Sequence, residues 1–291
     1  MKDINIFCFG FGQVAKNFIK KLSIEQYNIN LSATSRSKSS KKTFNGINYN
    51  SYLFNSEKFD QNLVVKLKEA DHILVSIPPE NQEDLVIKNF SKFIESSKVK
   101  WITYLSATSI YGDHKGEWVN ENSKTNPISN NGIARLKAEN AWFSLEKNKK
   151  IPIQIFRLSG IYSNEKNILI RLKSGGVKLI NKKNHFFSRI HVDDISNILF
   201  KSLSKFKSGE IYNLSDDKPS TSEEVTLFGA KILNIENIEK IEVDQIKSEM
   251  LKNFYNESKK VSNKKMKSYF DYNLKFPSYI EGLNHISCNF I

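Results

Sequence analysis

Three hydroxyl residues follow an apolar run in the first half of the chain. The run begins at Trp101, the hydroxyls are Ser106, Thr108 and Ser109, and Tyr111-Gly112-Asp113 comes directly after them. Such hydroxyls can donate hydrogen bonds to a substrate, or they can satisfy backbone groups where a strand ends. Both interpretations stay open until the elements that position these residues are considered.

A glycine-rich turn stands near the N-terminus. The stretch Phe9-Gly10-Phe11-Gly12-Gln13-Val14-Ala15 has the pattern G-x-G-x-x-A between a predicted strand and a predicted helix. Gly10 allows the tight turn, Gly12 lets the backbone approach a pyrophosphate, and Ala15 allows close helix packing. The pattern predicts dinucleotide binding, and a plain tight turn is the alternative. The residues expected to bind the cofactor here are Gly10, Phe11, Gly12, Gln13 and Val14.

The second predicted strand ends in Ala33-Thr34-Ser35-Arg36-Ser37-Lys38. A site for NAD usually has Asp or Glu here, bound to the ribose 2′-hydroxyl, whereas this stretch has hydroxyls and two cations. Arg36 and Ser37 could hold a 2′-phosphate, so the sequence favours NADP, with NAD as the alternative. An ordinary basic loop would also explain the pattern. A later strand end adds Ser76, Ile77 and Pro78 to the predicted cofactor site.

Strand-length apolar runs alternate with segments of helical period over the first 160 residues. The predicted strands are Ile4–Phe9, Ile29–Thr34, His72–Ile77, Trp101–Ser106 and Ile153–Leu158, and the predicted helices are Gln13–Leu22, Phe59–Ala70, Gln82–Ser96 and Gly132–Leu145. This order predicts an α/β fold, a Rossmann doubly wound parallel sheet with right-handed crossovers. We expect a dinucleotide-binding domain over 1–165.

The second half of the chain is less regular. Residues 166–291 are expected to form a smaller C-terminal α/β substrate-binding part, with segments near 190–215 returning to the sheet. The run from Ser220 to Glu223 is a capping-box pattern that predicts a helix to Leu233. The tail, 240–291, is rich in Lys and Asn and is weakly patterned. Further predictions are helices at Asn167–Lys173 and Val192–Leu203 and a strand at Glu210–Leu214.

Composition limits the class of protein. The chain has 291 residues, 39% of them hydrophobic, and a formal net charge of +13. Its lysines are spread along the sequence without a recognisable nucleic-acid motif, so we interpret them as solvated surface and expect no nucleic-acid partner. Cys8 and Cys288 form no disulfide or metal pattern. Because no signal-peptide or membrane-spanning pattern is present either, the sequence predicts a cytoplasmic protein with no membrane partner.

Five blocks of the chain resemble, in order, the extended short-chain dehydrogenases/reductases, in particular atypical members of the NAD-dependent epimerase/dehydratase-like group. The blocks are GFGQVA at the start, LSATSIYGD (105–113), NGIARLKAEN (131–140), FRLSGIY (156–162) and SRIHVDDI (188–195). The resemblance covers nearly the whole chain. It implies a Rossmann sheet, a C-terminal substrate region and NAD(P)-dependent oxidoreductase or epimerase chemistry on a small hydroxyl or carbonyl substrate.

The family's Ser/Thr–Tyr–Lys active site is altered in this sequence. Asn131 stands at the Tyr position, Arg135 at the Lys position, and Ala107 near the Ser position. An Asn amide does not titrate and Arg stays protonated, so the usual proton transfer lacks its acid. Tyr162 and His191 are the substitute acids to consider. The residues that the resemblance implies for catalysis are Ser106, Thr108 and Arg135.

The resemblance also implies residues for the substrate and the nicotinamide end. Arg135 and Ser159 are expected at the cofactor, and Tyr111, Tyr162 and Arg189 at the substrate. Arg157 is either part of this region or a buried charge paired with an acid. His191 is expected to be structural, and Asp193 resembles a helix N-cap.

Two functions stay open on the sequence. One is an enzyme in which the bound dinucleotide carries hydride. The other is a non-catalytic NADP-binding sensor or regulator, which the altered Tyr–Lys pair favours. A homodimer through the helices near 82–96 and 132–147 is a further expectation from the resemblance.

Overall fold

The computed structural model describes residues 2–182 and 184–288. The chain divides into two compact units. The first contains the segment up to Ala107 together with Asn130–Arg157 and Ile195–Tyr212. The second contains Thr108–Ser129, Leu158–Asp194 and the segment from Asn213 onward.

The helices and strands follow in chain order. Up to Ala107 they are β1 (Asp3–Phe9), α1 (Gln13–Ile24), β2 (Asn28–Ser35), β3 (Ser40–Phe44), β4 (Ile47–Leu53), α2 (Asn62–Glu69), β5 (His72–Val75), α3 (Leu85–Glu95) and β6 (Trp101–Ala107). Up to Leu214 they are β7 (Trp118–Val119), α4 (Asn130–Lys149), β8 (Ile153–Leu158), β9 (Gly160–Tyr162), α5 (Ile168–Lys173), β10 (Leu179–Asn181), β11 (Arg189–His191), α6 (Val192–Ser202) and β12 (Ile211–Leu214). The remainder are α7 (Ser222–Ile232), β13 (Lys240–Glu242), α8 (Glu249–Tyr255), β14 (Lys260–Val261), α9 (Lys264–Phe270) and α10 (Tyr279–Cys288).

The main sheet has eight strands in the order β12-β8-β6-β5-β1-β2-β4-β3. Strand β1 pairs in parallel with β2 on one side and with β5 on the other. The order reverses at this point, which is where a doubly wound sheet binds its ligand. The side chains of β6 and β8 are almost all buried, as expected for strands covered on both faces. The predicted Rossmann sheet is confirmed.

Strands β3 and β4 form a hairpin after β2, in a stretch to which the sequence analysis assigned no element. Strand β3 pairs antiparallel with β4, and Asn45-Gly46 joins them with φ values of 50° and 77°. Two residues of positive φ make the tight turn that matches the twist of a hairpin, and Asn-Gly is its strongest sequence signal. The link from β2 to the parallel strand β4 is therefore a strand and not a crossover helix.

Several boundaries differ from the predictions. Strand β5 ends at Val75, because the chain has already turned before Pro78. The capping box of α7 is formed by Thr221 and Glu224, one residue later than predicted. The predicted N-cap at Asp193 is wrong, since α6 begins at Val192 and Asp193 lies in its first turn. The tail, 240–291, whose sequence is weakly patterned, contains α8, α9 and α10.

The second unit has its own apolar core. Tyr162, Leu169, Val225, Tyr279, Leu283 and Ile286 form one buried cluster in it. Two short parallel pairs, β9 with β11 and β7 with β14, join segments that are distant in sequence. Within the described part of the chain, no helix combines the length and the apolar character that crossing a bilayer requires.

Candidate functional site

The glycine loop between β1 and α1 can be built only with glycine at its first position. Gly10 has a φ of +85°, and a Cβ there would lie 2.7 Å from Ile77 Cγ2 and 2.9 Å from Ser76 Oγ. Both the positive φ and the close approach exclude a side chain. The loop is therefore packed directly against the residues that follow β5.

Two hydroxyl side chains hold the backbone of this loop. The Gly10 N–H donates to Thr34 Oγ1 at 2.8 Å. Ser76 Oγ donates to the carbonyl oxygens of Phe9 at 3.0 Å and Gly10 at 3.1 Å. The sequence analysis gave Thr34 no role, although a hydroxyl at the end of a strand next to β1 was the available signal. The loop is thus fixed by its protein partners.

The far side of the loop is open. Gly12 is the N-cap residue of α1 and has no side chain with which to cap the helix, and a Cβ on Gly12 would meet no atom within 4 Å. An uncapped helix N-terminus with an approachable backbone favours an anion. Val14 is buried in the core and Gln13 is half-buried. The Phe11 ring packs against Phe44 at 5.4 Å and Tyr49 at 4.9 Å between ring centroids.

The end of β2 presents cations to solvent. Arg36 and Ser37 are exposed, and the Ser37 hydroxyl lies 3.4 Å from that of Ser35. After β5, Ile77 is half-buried and Pro78 is exposed. Strands β5, β1 and β2 are neighbours in one sheet. The glycine loop, the end of β2 and the end of β5 therefore all lie at the carboxyl edge of that sheet.

At the end of β6, the Ser106 hydroxyl makes no hydrogen bond within the described chain, whereas the Arg135 guanidinium donates one to the backbone. Ser106 is 3% exposed, and its hydroxyl has no hydrogen-bond partner among the described residues. Arg135 donates from Nη1 to the Leu105 carbonyl at 2.5 Å, and Asn131 is exposed at the start of α4. Burial raises the pKa of the Tyr104 phenol, an effect that the Arg135 charge opposes. The Tyr104 phenol therefore stays protonated at neutral pH.

Arg157 is a buried charge paired with an acid, which was one of the two interpretations that the sequence left open. Its guanidinium lies 2.7 Å from Glu139 on α4, and the two side chains are 5% and 1% exposed. Nε adds bonds to both carboxylate oxygens. The pair joins α4 to β8, and each charge compensates the other in a dry interior.

The second unit contains the other predicted hydroxyls. Thr108 is buried, and Tyr111 donates its hydroxyl to Asn213 Oδ1 at 2.8 Å. Ser159 is buried too, and its hydroxyl has no hydrogen-bond partner in the described chain. The Ser159 N–H donates to the Leu214 carbonyl at 3.0 Å. Tyr111 is thus engaged by its own unit, whereas the Ser159 hydroxyl is not.

The two substitute acids are both held inside the second unit. Tyr162 donates its hydroxyl to the Ser278 carbonyl at 3.2 Å, and burial raises the pKa of this phenol. The His191 ring lies 5.0 Å from the Tyr162 ring, and its Nδ1 accepts the Asp193 N–H at 3.2 Å. Burial lowers the pKa of His191 to about 4, so the ring is neutral at physiological pH. The Tyr162 hydroxyl is engaged, whereas His191 Nε2, which carries the proton of the neutral ring when Nδ1 accepts, has no partner among the described residues.

Arg189 is anchored by carbonyl groups and an aromatic ring. Its Nη1 donates to the carbonyl oxygens of Phe187 and Ser220, each at 3.1 Å, and the guanidinium lies 4.9 Å from the Phe187 ring centroid. Desolvation lowers the pKa of Arg189 to about 10, an effect that Asp216 opposes. Burial raises the pKa of Asp216 well above its usual range. The Arg189 guanidinium therefore stays charged at neutral pH.

No group of three or more His, Cys, Asp or Glu side chains could hold a metal ion within residues 2–182 and 184–288. No protein-family model matches the sequence, and no curated protein matches it.

Solved structures do match the chain. A conserved protein of unknown function from Silicibacter pomeroyi has 27% sequence identity and a TM-score of 0.86, with 99% of each chain covered. The NAD complex of UDP-glucuronic acid 4-epimerase from Bacillus cereus has 15% identity and a TM-score of 0.77, covering 99% of this chain and 96% of that one. The chain has the extended short-chain dehydrogenase/reductase fold.

A dehydratase shares the same fold. The NAD complex of dTDP-glucose 4,6-dehydratase from Bacillus anthracis has 18% identity and a TM-score of 0.76, and the match covers 99% of this chain and 96% of that one. The resemblance read from the five sequence blocks is therefore confirmed at the level of the fold.

Proposed function

We propose that this extended short-chain dehydrogenase/reductase-like chain binds a nicotinamide dinucleotide at the glycine loop. The observation that carries the proposal is the uncapped N-terminus of α1, behind a loop whose backbone is fixed by Thr34 and Ser76. Fixed N–H groups next to an open space are what a pyrophosphate requires. The Bacillus cereus epimerase and the Bacillus anthracis dehydratase, which share the fold, were both solved with NAD.

We further propose NADP as the preferred cofactor. The end of β2 has Arg36 and Ser37 exposed and has no acidic residue to bind a ribose 2′-hydroxyl. A planar guanidinium binds a phosphate through two parallel hydrogen bonds. NAD is the alternative, because the epimerase and dehydratase structures that share this fold were solved with NAD.

The proposed activity is oxidoreductase or epimerase chemistry on a small hydroxyl or carbonyl substrate. The bound nicotinamide supplies hydride transfer, and the chain supplies orientation and hydrogen bonds. Two groups at the end of β6 support this proposal: the buried Ser106 hydroxyl, which has no partner in the described chain, and the Arg135 guanidinium, which is a multiple hydrogen-bond donor. The predicted roles of Thr108, Ser159, Tyr111, Tyr162 and Arg189 in the second unit stay predictions.

A second candidate function is a non-catalytic NADP-binding sensor. Asn131 and Arg135 replace the family's Tyr–Lys pair, and the hydroxyl of Tyr162 is bound to the Ser278 carbonyl. A protein that binds the dinucleotide without a proton donor could report the cofactor's concentration or redox state. The two functions differ in whether bound cofactor exchanges hydride with any substrate.

Calorimetric titration with NADPH and NADH tests the cofactor site. Arg36→Ala is expected to weaken NADPH binding by about tenfold or more, since a charge-assisted contact to phosphate is lost. Lys92→Ala is the matched control, because Lys92 is an exposed cation in the last turn of α3, which runs back toward the amino ends of the strands. If wild type binds neither cofactor, the proposal is wrong. Substrate screening then separates enzyme from sensor, with nicotinamide absorbance detecting net oxidation or reduction and product analysis detecting epimerisation, which leaves the cofactor unchanged.

The homodimer through α3 and α4 and the cytoplasmic location are also proposals. Light scattering after gel filtration measures the mass in solution directly. A monomer at micromolar concentration would contradict the dimer.

A further inference from the structure

The loop between β2 and β3 has an unusual setting for an anion-binding segment. Arg36, Ser37, Lys38 and Ser39 lead directly into strand β3 at Ser40. Helix N-termini stabilise anions through their dipole and their free N–H groups. Because a strand follows this loop, a phosphate bound here must be stabilised by side chains, and those side chains must be held in place.

Strand β4 and the residues after it hold the loop at both ends. At the start, the Phe54 N–H donates to the Ser35 carbonyl at 2.9 Å, and Asn55 Nδ2 donates to the Arg36 carbonyl at 3.4 Å. At the end, the Leu53 N–H donates to Ser39 Oγ at 2.9 Å. The three residues between Ser35 and Ser39 present their side chains to solvent: Arg36, Ser37 and Lys38.

Asp60 completes the attachment of Ser39. Ser39 Oγ donates to Asp60 Oδ2 at 2.6 Å, while Asp60 Oδ1 accepts the Asn62 N–H at 2.9 Å at the start of α2. The Asp60 N–H donates to the Leu53 carbonyl at 3.0 Å. The bond from Ser39 lowers the pKa of the Asp60 carboxyl, so the acceptor stays ionised at neutral pH. Ser39 is thus bound from two directions by residues that do not belong to the glycine loop.

We propose that Ser39 and Asp60 are positioning residues that set the preference for NADP, by holding Arg36 and Lys38 where both cations meet the 2′-phosphate. The inference rests on the proposed dinucleotide site and adds Lys38 as a second phosphate contact. A loop that is already ordered loses less conformational freedom when it binds, so its attachments raise affinity without touching the ligand. NADH lacks the 2′-phosphate, so its affinity should not depend on these attachments.

The test measures dissociation constants for NADPH and NADH by calorimetry on wild type, Ser39→Ala, Ser39→Thr and Asp60→Asn. Ser39→Ala is expected to weaken NADPH binding about fivefold, with NADH binding unchanged within about twofold, since one hydrogen bond to the loop is lost. Ser39→Thr keeps the hydroxyl and should restore the wild-type ratio. Ser97→Ala is the control, because both bonds of the Ser97 hydroxyl are local: it donates to the Ile94 carbonyl and accepts from the Val99 N–H just after α3.

Lys38→Ala provides an independent readout. It should weaken NADPH binding and reduce the dependence of that binding on salt, because one cation fewer meets the phosphate. Suppose that wild type prefers NADPH and that Ser39→Ala and Asp60→Asn keep the same ratio of the NADPH and NADH dissociation constants. This result would overturn the positioning role of Ser39 and Asp60 and leave the NADP preference standing. Equal wild-type affinity for NADPH and NADH would overturn both the NADP preference and this inference. Wild type that binds neither cofactor would overturn the proposed function as well.

Discussion

Two strand ends of the first unit differ in how their polar groups are used. At the glycine loop, the Gly10 N–H is bound to Thr34, and Ser76 donates to two loop carbonyls. At the end of β6, the buried Ser106 hydroxyl has no partner in the described chain. Arg135 donates a hydrogen bond to the Leu105 carbonyl. The first region is organised before any ligand arrives, and the second keeps the hydrogen-bonding capacity of the Ser106 hydroxyl.

This difference separates binding from chemistry. Backbone groups that are already fixed can hold a dinucleotide in the same geometry whether or not a reaction follows. Proton transfer needs a group whose pKa lies near the working pH, and Asn131 does not titrate. The following substitutions test whether the two regions are as different as their contacts indicate, beginning with the largest expected effect.

Replacing the loop glycines should separate folding from binding. Gly10→Ala forces a side chain into a φ of +85° and within 2.7 Å of Ile77, so we expect loss of dinucleotide binding by more than about a hundredfold together with a lower melting temperature. Gly12→Ala has open space, so it should lose binding without a change in melting temperature. Calorimetry and thermal unfolding measure both. Unchanged binding in Gly12→Ala would mean that the loop is only a turn.

Breaking the buried ion pair should affect stability more than any surface pair. Glu139→Gln leaves Arg157 buried with a weaker partner, and a loss of about 3 kcal/mol of unfolding free energy is expected in urea denaturation. The matched control is Glu95→Gln, whose exposed partner Lys149 lies at 2.9 Å. That change should cost less than about 1 kcal/mol. Equal effects of the two changes would show that the Arg157 charge is compensated elsewhere.

Acidification tests whether His191 is a neutral, structural residue. Its pKa is about 4 in the folded protein against 6.5 ordinarily, so the unfolded chain takes up the proton first as the pH falls below 6.5. The contribution of a neutral His191 to the unfolding free energy is therefore fully present above pH 6.5. It is lost as the pH falls from 6.5 to 4, and it amounts to on the order of 3 kcal/mol. His191→Gln should make this part of the stability profile shallower, and the contribution of His72, whose pKa burial also lowers to about 4, should remain. A profile that is the same in the variant and in wild type would assign the loss to other groups.

Thr34→Val removes the acceptor of the Gly10 N–H at nearly constant volume. We expect a loss of about 1–2 kcal/mol of stability and about tenfold weaker dinucleotide binding, since a buried N–H is left without its bond. Thr34→Ser keeps the hydroxyl and should behave as wild type. A Val variant with wild-type affinity would show that the loop does not depend on this bond.

Ser106→Ala should have the smallest effect on folding. The hydroxyl has no partner in the described chain, so its removal is expected to change the unfolding free energy by less than about 0.5 kcal/mol. A loss as large as that of Thr34→Val would contradict the comparison between the two strand ends. Any effect on turnover in the absence of an effect on folding would place the hydroxyl at a ligand.

The sheet and the glycine loop could be predicted because their signals are local. The apolar run before Gly10, the G-x-G-x-x-A spacing and the strand-helix alternation each depend on a few neighbouring residues. The partners of the loop could not be predicted in this way. Thr34 and Ser76 reach Gly10 only because β2 and β5 both pair with β1, and sequence order does not reveal this arrangement.

The roles of the charged residues show the same limit. Nothing local distinguishes Arg157, which is paired with Glu139, from Arg189, which binds two carbonyl groups. The partner of each arginine depends on which distant segment of the chain folds against its guanidinium. The hairpin is different, because Asn45-Gly46 is a strong local signal that the sequence analysis passed over.

The antiparallel strand β3 also has a consequence for solubility. It is the last strand of the sheet, so one row of its backbone groups is exposed to pairing with another chain. Lys41 and Lys42 lie in the middle of this five-residue strand, and both are exposed. Adjacent lysines point to opposite faces of a strand, so charge repels an approaching edge from either side. The two lysines protect the protein from edge-to-edge aggregation, and a chain that lacks both should precipitate at a lower concentration than wild type.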